Sequence, residues 1–426
     1  MTRMARVSLV VGVLVLVILI GGGAFTASGQ DLRKIVIFFD NTPLTVQQQV
    51  VAQSGSSAVH TLSLINGLAI QLPAAADQAL ASLRSNPAVE EVYDDAVSVA
   101  DGAICIDPAP SPVPESYPWG LQKIDADAPA VQPQWQGAGV TVAILDTGID
   151  LGHPELIPQI VGGYNALAGG GSYADDNGHG THMAGIIAAA LNSLGIIGVA
   201  PQATFAAVKV LDQYGAGYLS DLINGLQWVY GYNNGIPLVK LVNMSLGFSI
   251  DSPPLQQAIQ SLYNSGVIMV ASAGNRCAQS PSQDEGGGDN CQGGPALTCD
   301  PSQTTVKYPA AYPWVLAVTA TDYYDQVTAY SVSGPQVDVA APGGSKATGM
   351  RILSTTIGNG YGEGSGTSQA AAHVTGAVAL ALQIQPGLSF TQVRSVLQTT
   401  AKNLGYPQEQ QGAGRIDVKK MVQALQ

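Results

Sequence analysis

Apolar positions run along this chain in two rhythms, and the change from one to the other marks a boundary. Ile35-Val36-Ile37-Phe38-Phe39 is an unbroken β-prone run. Pro43 opens a helical pattern that lasts to about Ala52. Leu62 to Leu72 reads as a strand, a turn at Asn66-Gly67 and a second strand. Pro73 starts another helical pattern to about Arg84, and Val89 to Val99 is a last strand. The order strand, helix, strand, strand, helix, strand predicts a small α+β sandwich of the split βαβ, ferredoxin-like kind. Pro108, Pro110, Pro112, Pro114 and Pro118 then stiffen an extended linker, the clearest domain boundary in the chain.

Beyond the linker the rhythm changes. Val140–Leu145 is apolar almost throughout, the mark of a strand buried on both faces in a parallel sheet. Further strands are predicted near Phe205–Leu211, Leu238–Met244, Val267–Ala271, Val315–Thr319 and Val337–Ala340. Helices are predicted near His179–Leu191, Leu219–Tyr232, Leu255–Asn264 and Thr367–Gln383. Strands alternating with helices predict an α/β domain, a mostly parallel sheet with helices on both faces.

Composition sharpens this picture without changing it. Hydrophobic residues make up 46% of the 426 and charged residues only 11%, so the chain can bury a large core. A net charge of −13 and the lack of a basic run argue against nucleic acid as a partner. Arg3 and Arg6 precede an uncharged stretch from Val7 to Gly29, closed by Ala27-Ser28-Gly29. It reads as a secretory leader; an uncleaved anchor is the alternative, and only then is a membrane a partner. Either reading places the rest outside the cytoplasm, where the four Cys are expected to pair.

Four short segments carry candidate chemistry. Asp146 ends the Val140–Leu145 strand in Asp146-Thr147-Gly148, and sites in open parallel sheets gather at strand carboxyl ends. An aspartic peptidase also uses Asp-Thr-Gly, but it needs two such carboxylates, and no second Asp-Thr-Gly or Asp-Ser-Gly occurs. His179 lies between Gly178 and Gly180 at a helix start, where a neutral imidazole can act as a base. His182 follows three residues later with no acid or Cys on the helix beyond it, which reads as structural rather than metal-binding. Ser368 sits where Gly364-Ser365-Gly366 runs into an Ala-rich helix, so free N–H groups and the helix dipole favour negative charge beside it. Asn275, in Ala273-Gly274-Asn275 after another apolar strand, offers a neutral donor for an oxyanion.

Together these pieces resemble the subtilisin-like serine peptidases, which use Asp, His and Ser in this chain order. Val199-Ala200-Pro201, Asn243-Met244-Ser245-Leu246-Gly247, Lys307-Tyr308-Pro309-Ala310 and Val339-Ala340-Ala341-Pro342-Gly343 extend the likeness over about Trp119 to Val422. The resemblance implies a secreted endopeptidase acting on proteins or peptides through an acyl-enzyme, with Ser368 as nucleophile, His179 as base, Asp146 orienting it and Asn275 in the oxyanion hole. It implies that Ser245, Leu246 and Gly247 form one edge for a peptide strand and Gly215, Ala216 and Gly217 the other. It also implies that residues 30–100 are an inhibitory propeptide, a partner of the same chain. Cleavage is expected near Ala100-Asp101, ahead of a linker and arm over 101–118 and a peptidase domain over 119–426. The enzyme is expected to be a monomer and to need no catalytic cofactor.

Several positions depart from the family pattern. Gln369 replaces the usual Met after the nucleophile, which removes an oxidation-prone thioether. Ala372 stands where Pro is usual, so a helical hydrogen bond to Ser368 O can close. That change raises a transpeptidase or esterase on the same triad as an alternative; a pseudoenzyme that only binds peptides is an alternative of a different class. Glu155 matches a position where relatives bind calcium, and Asp284-Glu285-Gly286-Gly287-Gly288-Asp289 is acidic but lacks EF-hand spacing. A structural calcium is therefore left open.

Overall fold

A computed structural model describes residues 32–100, 107–109, 115–128, 131–232, 239–276 and 304–426. The leader, the four Cys and the acidic Gly-rich stretch lie outside the described residues. The first unit comprises β1 (Arg33–Phe38), α1 (Leu44–Gln53), β2 (Ser57–Leu62), β3 (Gly67–Gln71), α2 (Ala76–Arg84) and β4 (Val89–Asp94). Its sheet order is β2-β3-β1-β4, and each pair is antiparallel. Successive side chains of a strand face opposite ways. Val36, Phe38, Leu68 and Ile70 pack on α1 and α2, with Val50, Val51, Ala79 and Leu83. Ile35, Ile37 and Ala69 face the other way, into a cluster with Leu222, Ile223 and Leu226 of the larger domain.

The predicted strand from Val89 to Val99 is two strands. β4 stops at Asp94, and β5 (Val97–Ala100) leaves for a different sheet. The break is anchored at Asp95, 1% exposed. Its carboxylate accepts from Arg33 Nε at 3.0 Å, Ser220 N–H at 2.8 Å and Ser220 Oγ at 2.7 Å. Burial pushes this carboxyl up to about 6, against the pull of Arg33 and Ser220. Nearby, His60 Nε2 lies 2.7 Å from Asp221 Oδ1, a second tie between the two units.

The larger domain contains β6 (Asp107–Ala109), α3 (Trp119–Lys123), β7 (Thr141–Asp146), β8 (Ile160–Asn165), α4 (His179–Ala188), β9 (Thr204–Lys209), β10 (Ala216–Tyr218), α5 (Leu219–Tyr232), β11 (Val239–Met244), β12 (Leu246–Gly247), α6 (Pro253–Asn264), β13 (Ile268–Ser272), β14 (Leu316–Thr321), β15 (Val337–Pro342), β16 (Ile352–Thr356), β17 (Gly360–Gly364), α7 (Thr367–Ile384), α8 (Phe390–Thr400), α9 (Gln408–Gln411) and α10 (Val418–Leu425). Seven strands form one parallel sheet in the order β15-β14-β13-β11-β7-β9-β8. Val142, Ile144, Leu241 and Val270 face a core shared with α4 and α7. Ala143, Leu145, Val242 and Ala271 face one shared with α5 and α6. Burial on both faces explains the nearly unbroken apolar strands. From β7 the chain builds outward through β8 and β9, then returns to β11 on the other side. The carboxyl ends of β7 and β11 therefore flank the topological switch point, where open α/β sheets place their sites.

Two histidines of the core tie stability to pH. His182 in α4 and His373 in α7 are both fully buried. Burial, with a contribution from His179, pushes His182 down to about 3, and burial pushes His373 down to about 4. The unfolded chain takes up protons at both near pH 6.5, while the folded chain does not until far lower. Stability is thus full above pH 6.5 and is lost as pH falls. At pH 5 each histidine withdraws about 2 kcal/mol. Urea midpoints of the Ser368→Ala chain should fall clearly between pH 7 and pH 5, and less in a His373→Gln variant. Equal midpoints at the two pH values would contradict this.

Candidate active site

His179 is the first residue of α4 and is 1% exposed. Its Nδ1 lies 2.7 Å from Asp146 Oδ1, which also accepts Thr147 N–H at 2.8 Å. An ionised carboxylate only accepts, so the ring proton sits on Nδ1 and the lone pair on Nε2. This is the tautomer that can take a proton from a hydroxyl. Gly180 permits the approach: a Cβ there would strike Gly148 O and lie 3.2 Å from Asp146 Cβ. Asp175, which sequence reasoning passed over, braces the corner. Its Oδ1 accepts Thr147 Oγ1 at 2.8 Å, Gly178 N–H at 2.9 Å and Asn177 N–H at 3.0 Å, and its Oδ2 accepts Thr181 N–H at 2.9 Å. An acid just ahead of a helix start is the signal that points to it.

Ser368 is the second residue of α7 and is fully buried. Its Oγ donates to Ser245 O at 3.3 Å, and Ser245 Oγ donates back to Ser368 O at 3.3 Å. Asn243 Nδ2 donates to Ser245 Oγ at 3.0 Å, and Thr375 Oγ1 meets Asn243 Oδ1 at 2.9 Å. This buried chain of amide and hydroxyls pins the first turn of α7 to the end of β11. Met244 of β11 sits opposite Leu145 of β7. The Asp146–His179 pair and Ser368 are thereby held at the ends of neighbouring strands, at the switch point. The helix runs unbroken through Ala372.

Asn275 follows β13. Its Oδ1 accepts Thr367 N–H at 3.0 Å and Thr367 Oγ1 at 2.9 Å. Those donors fix which end of the amide is oxygen. Nδ2 faces the other way and is buried with no partner among the described residues. Such a donor costs free energy unless an acceptor arrives. It lies one residue from Ser368 through Thr367, at the dipole-positive end of α7, which suits an anionic oxygen.

The two expected edges enclose one strand. β5 lies antiparallel between β10 and β12, with Ala216 opposite Val99, Gly217 opposite Ser98, Leu246 opposite Ala100 and Gly247 opposite Val99. Ala100 N–H donates to Gly215 O at 2.9 Å, and Ser98 Oγ donates to Gly247 O at 3.1 Å. A segment of the chain itself therefore occupies the space between these edges.

His182 meets Gly362 O at 3.3 Å, and no group of three or more His, Cys, Asp or Glu suited to a metal occurs among the described residues. Glu155 Oε1 accepts Tyr361 Oη at 2.7 Å and Ile196 N–H at 3.1 Å. The neighbouring Glu115 accepts N–H from Asn192 at 2.8 Å and Ser193 at 2.9 Å. The other carboxylate oxygen, Glu155 Oε2, is buried with no partner among the described residues.

A profile of the Subtilase family matches residues 137–414. Subtilisin E of Bacillus subtilis is 34% identical over 379 residues, covering 88% of this chain and 86% of the relative. Subtilisin Savinase of Lederbergia lenta is 40% identical over 291 residues, covering 68% and 93%. A thermostable alkaline protease of Halalkalibacterium halodurans is 37% identical over 295 residues, covering 69% and 71%. The α/β sheet, the likeness along most of the chain and the match over the larger domain lead to one assignment: this chain belongs to the subtilase family and is a serine-type endopeptidase acting on proteins or peptides.

Proposed function

We propose that the chain is a self-processing zymogen whose Asp146, His179 and Ser368 form the catalytic triad. Ser368 Oγ attacks the scissile carbonyl carbon while its proton passes to His179 Nε2. Asp146 stabilises the resulting imidazolium through Nδ1–H. The oxyanion is held by Asn275 Nδ2 and the Ser368 N–H. Collapse breaks the C–N bond, and the imidazolium returns its proton to the leaving amine. Water then attacks the acyl-enzyme with His179 again as base, releasing the acid and restoring Ser368. These steps use side chains, one backbone N–H and water.

The observation that carries this reading is β5. It lies between the 215–217 and 245–247 edges in the hydrogen-bonding manner of an extended peptide, and its last residue pairs beside Ser245. Residues 30–100 are read as the inhibitory propeptide, residues 101–118 as linker and arm, and residues 119–426 as the peptidase. The alignment with Subtilisin E spans 88% of the chain, more than the larger domain alone, which supports kinship of the first unit as well. The leader at residues 1–29 is proposed to send the chain out of the cytoplasm, where it works as a monomer. A fluorophosphonate probe on the processed protein should label Ser368 stoichiometrically, and excess propeptide should block labelling. An unlabelled but folded protein would leave only a peptide binder.

A further inference from the structure

The larger domain encloses every second side chain of β5. Successive residues of a strand point to opposite sides. Ser98 and Ala100 are 2% and 5% exposed, Val99 is half-buried and Val97 is 40% exposed. Ser98 Oγ donates to Gly247 O at 3.1 Å, with its own neighbour Val99 O at 3.4 Å as the other acceptor. Ala100 Cβ lies 3.7 Å from where a Cβ on Gly215 would be, and Asn177 Nδ2 lies 3.6 Å from the same point. A water-sized gap beside either small side chain would leave it exposed to that gap, so neither has one.

The walls have little give. A Cβ on Gly217 would strike Val210 O, so the β10 edge already rests on the chain that leaves β9. Asp212 N–H donates to Ala216 O at 2.7 Å, and Asp212 Oδ1 accepts Ala216 N–H at 3.0 Å. Just past β12, Phe248 N–H donates to Tyr308 O at 2.7 Å and Tyr308 N–H donates to Phe248 O at 3.0 Å. Asn177 is held as well: its Nδ2 donates to Gln213 O at 3.1 Å and its Oδ1 accepts His179 N–H at 3.2 Å. Extra atoms at the places of Ser98 and Ala100 therefore push on groups that are bonded elsewhere.

We infer that the enzyme selects extended peptides with small side chains, serine or alanine, at the two places held by Ser98 and Ala100, and accepts large ones at the places held by Val97 and Val99. The inference rests on the peptidase reading above and adds its substrate class. Main-chain bonds to the two edges bind a peptide whatever its sequence, and the enclosed alternate positions make the choice. Serine at the first place has the further bond to Gly247 O. Asn177 limits the second place, and it also steadies the turn that carries His179.

The test uses the full chain, expressed and processed, and quenched-fluorescence peptides that copy residues 95–104, with mass spectrometry fixing the bond cut. In the peptide, Ser98→Phe or Ala100→Leu should lower kcat/KM at that bond by about 10- to 100-fold. Val97→Phe or Val99→Phe should change it by less than about 3-fold. With the Asn177→Ala enzyme, the Ala100→Leu peptide should gain about 5-fold or more on the parent peptide, although both are cut more slowly. A Ser98→Phe or Ala100→Leu peptide cut as fast as the parent overturns the size selection, as does an equal loss at Val97 and Val99. A labelled enzyme that leaves the parent peptide whole overturns it too. An unchanged ratio in the Asn177→Ala enzyme removes Asn177 as a wall. A protein that neither labels with fluorophosphonate nor cuts overturns the peptidase reading as well.

Discussion

Ser368→Ala yields a precursor that folds, stays uncut and hydrolyses peptides on the order of 10⁶-fold more slowly, the loss measured when a subtilisin loses this nucleophile. The fold should tolerate the change. One hydroxyl leaves a site at the start of α7, and the Ser245 Oγ bond to Ser368 O remains. The Asn243 and Thr375 links below it are untouched. Retained turnover should match that of binding and oxyanion stabilisation alone. Gel analysis of the expressed chain and burst kinetics with an activated ester check both halves. Cleavage at the normal rate in this variant would remove Ser368 from the mechanism.

Asp146→Asn should cost about 10⁴-fold in kcat, as the same exchange does in a serine protease of another fold. The cause here is hydrogen-bond polarity. Asp146 Oδ1 accepts from both Thr147 N–H and His179 Nδ1–H, 2.8 and 2.7 Å away. An amide can leave its oxygen on Thr147 and present its NH₂ to the ring. Nδ1 must then accept, the proton moves to Nε2, and the base is lost. Binding depends on other residues, so KM should change far less than kcat. A loss below about 10-fold would show that Asp146 does not set the tautomer.

Much of this site was legible because its parts are local. Asp146-Thr147-Gly148, the His179 turn and the run into Ser368 each declare a strand end or a helix start within a few residues. What escaped depends on distant partners. The chain breaks at Asp95 because Ser220, 125 residues away, binds its carboxylate. By composition Asn275 is a turn residue, and only Thr367, 92 residues on, fixes which way its amide is set. The Lys307 stem meets Gly274 through folding alone. β17, Gly360-Tyr361-Gly362-Glu363-Gly364, carries no apolar alternation and pairs with β16 and β6 by backbone. α8 was readable and missed: Ser389 and Gln392 form a capping box with both reciprocal bonds present.

The N-terminal sheet has two apolar faces but helices of its own for only one. Ile35, Ile37 and Ala69 are covered by the α5 and α6 side of the larger domain. If the connecting peptide bond is cut as proposed, lifting off exposes that second face to water. A unit of about sixty residues has little stability to spare against such a loss. Under the proposed processing, departure and unraveling then merge into one event, and an unraveled fragment becomes a substrate of the peptidase. Switching on by the proposed cleavage works as a fuse does, because the severed peptide bond does not re-form.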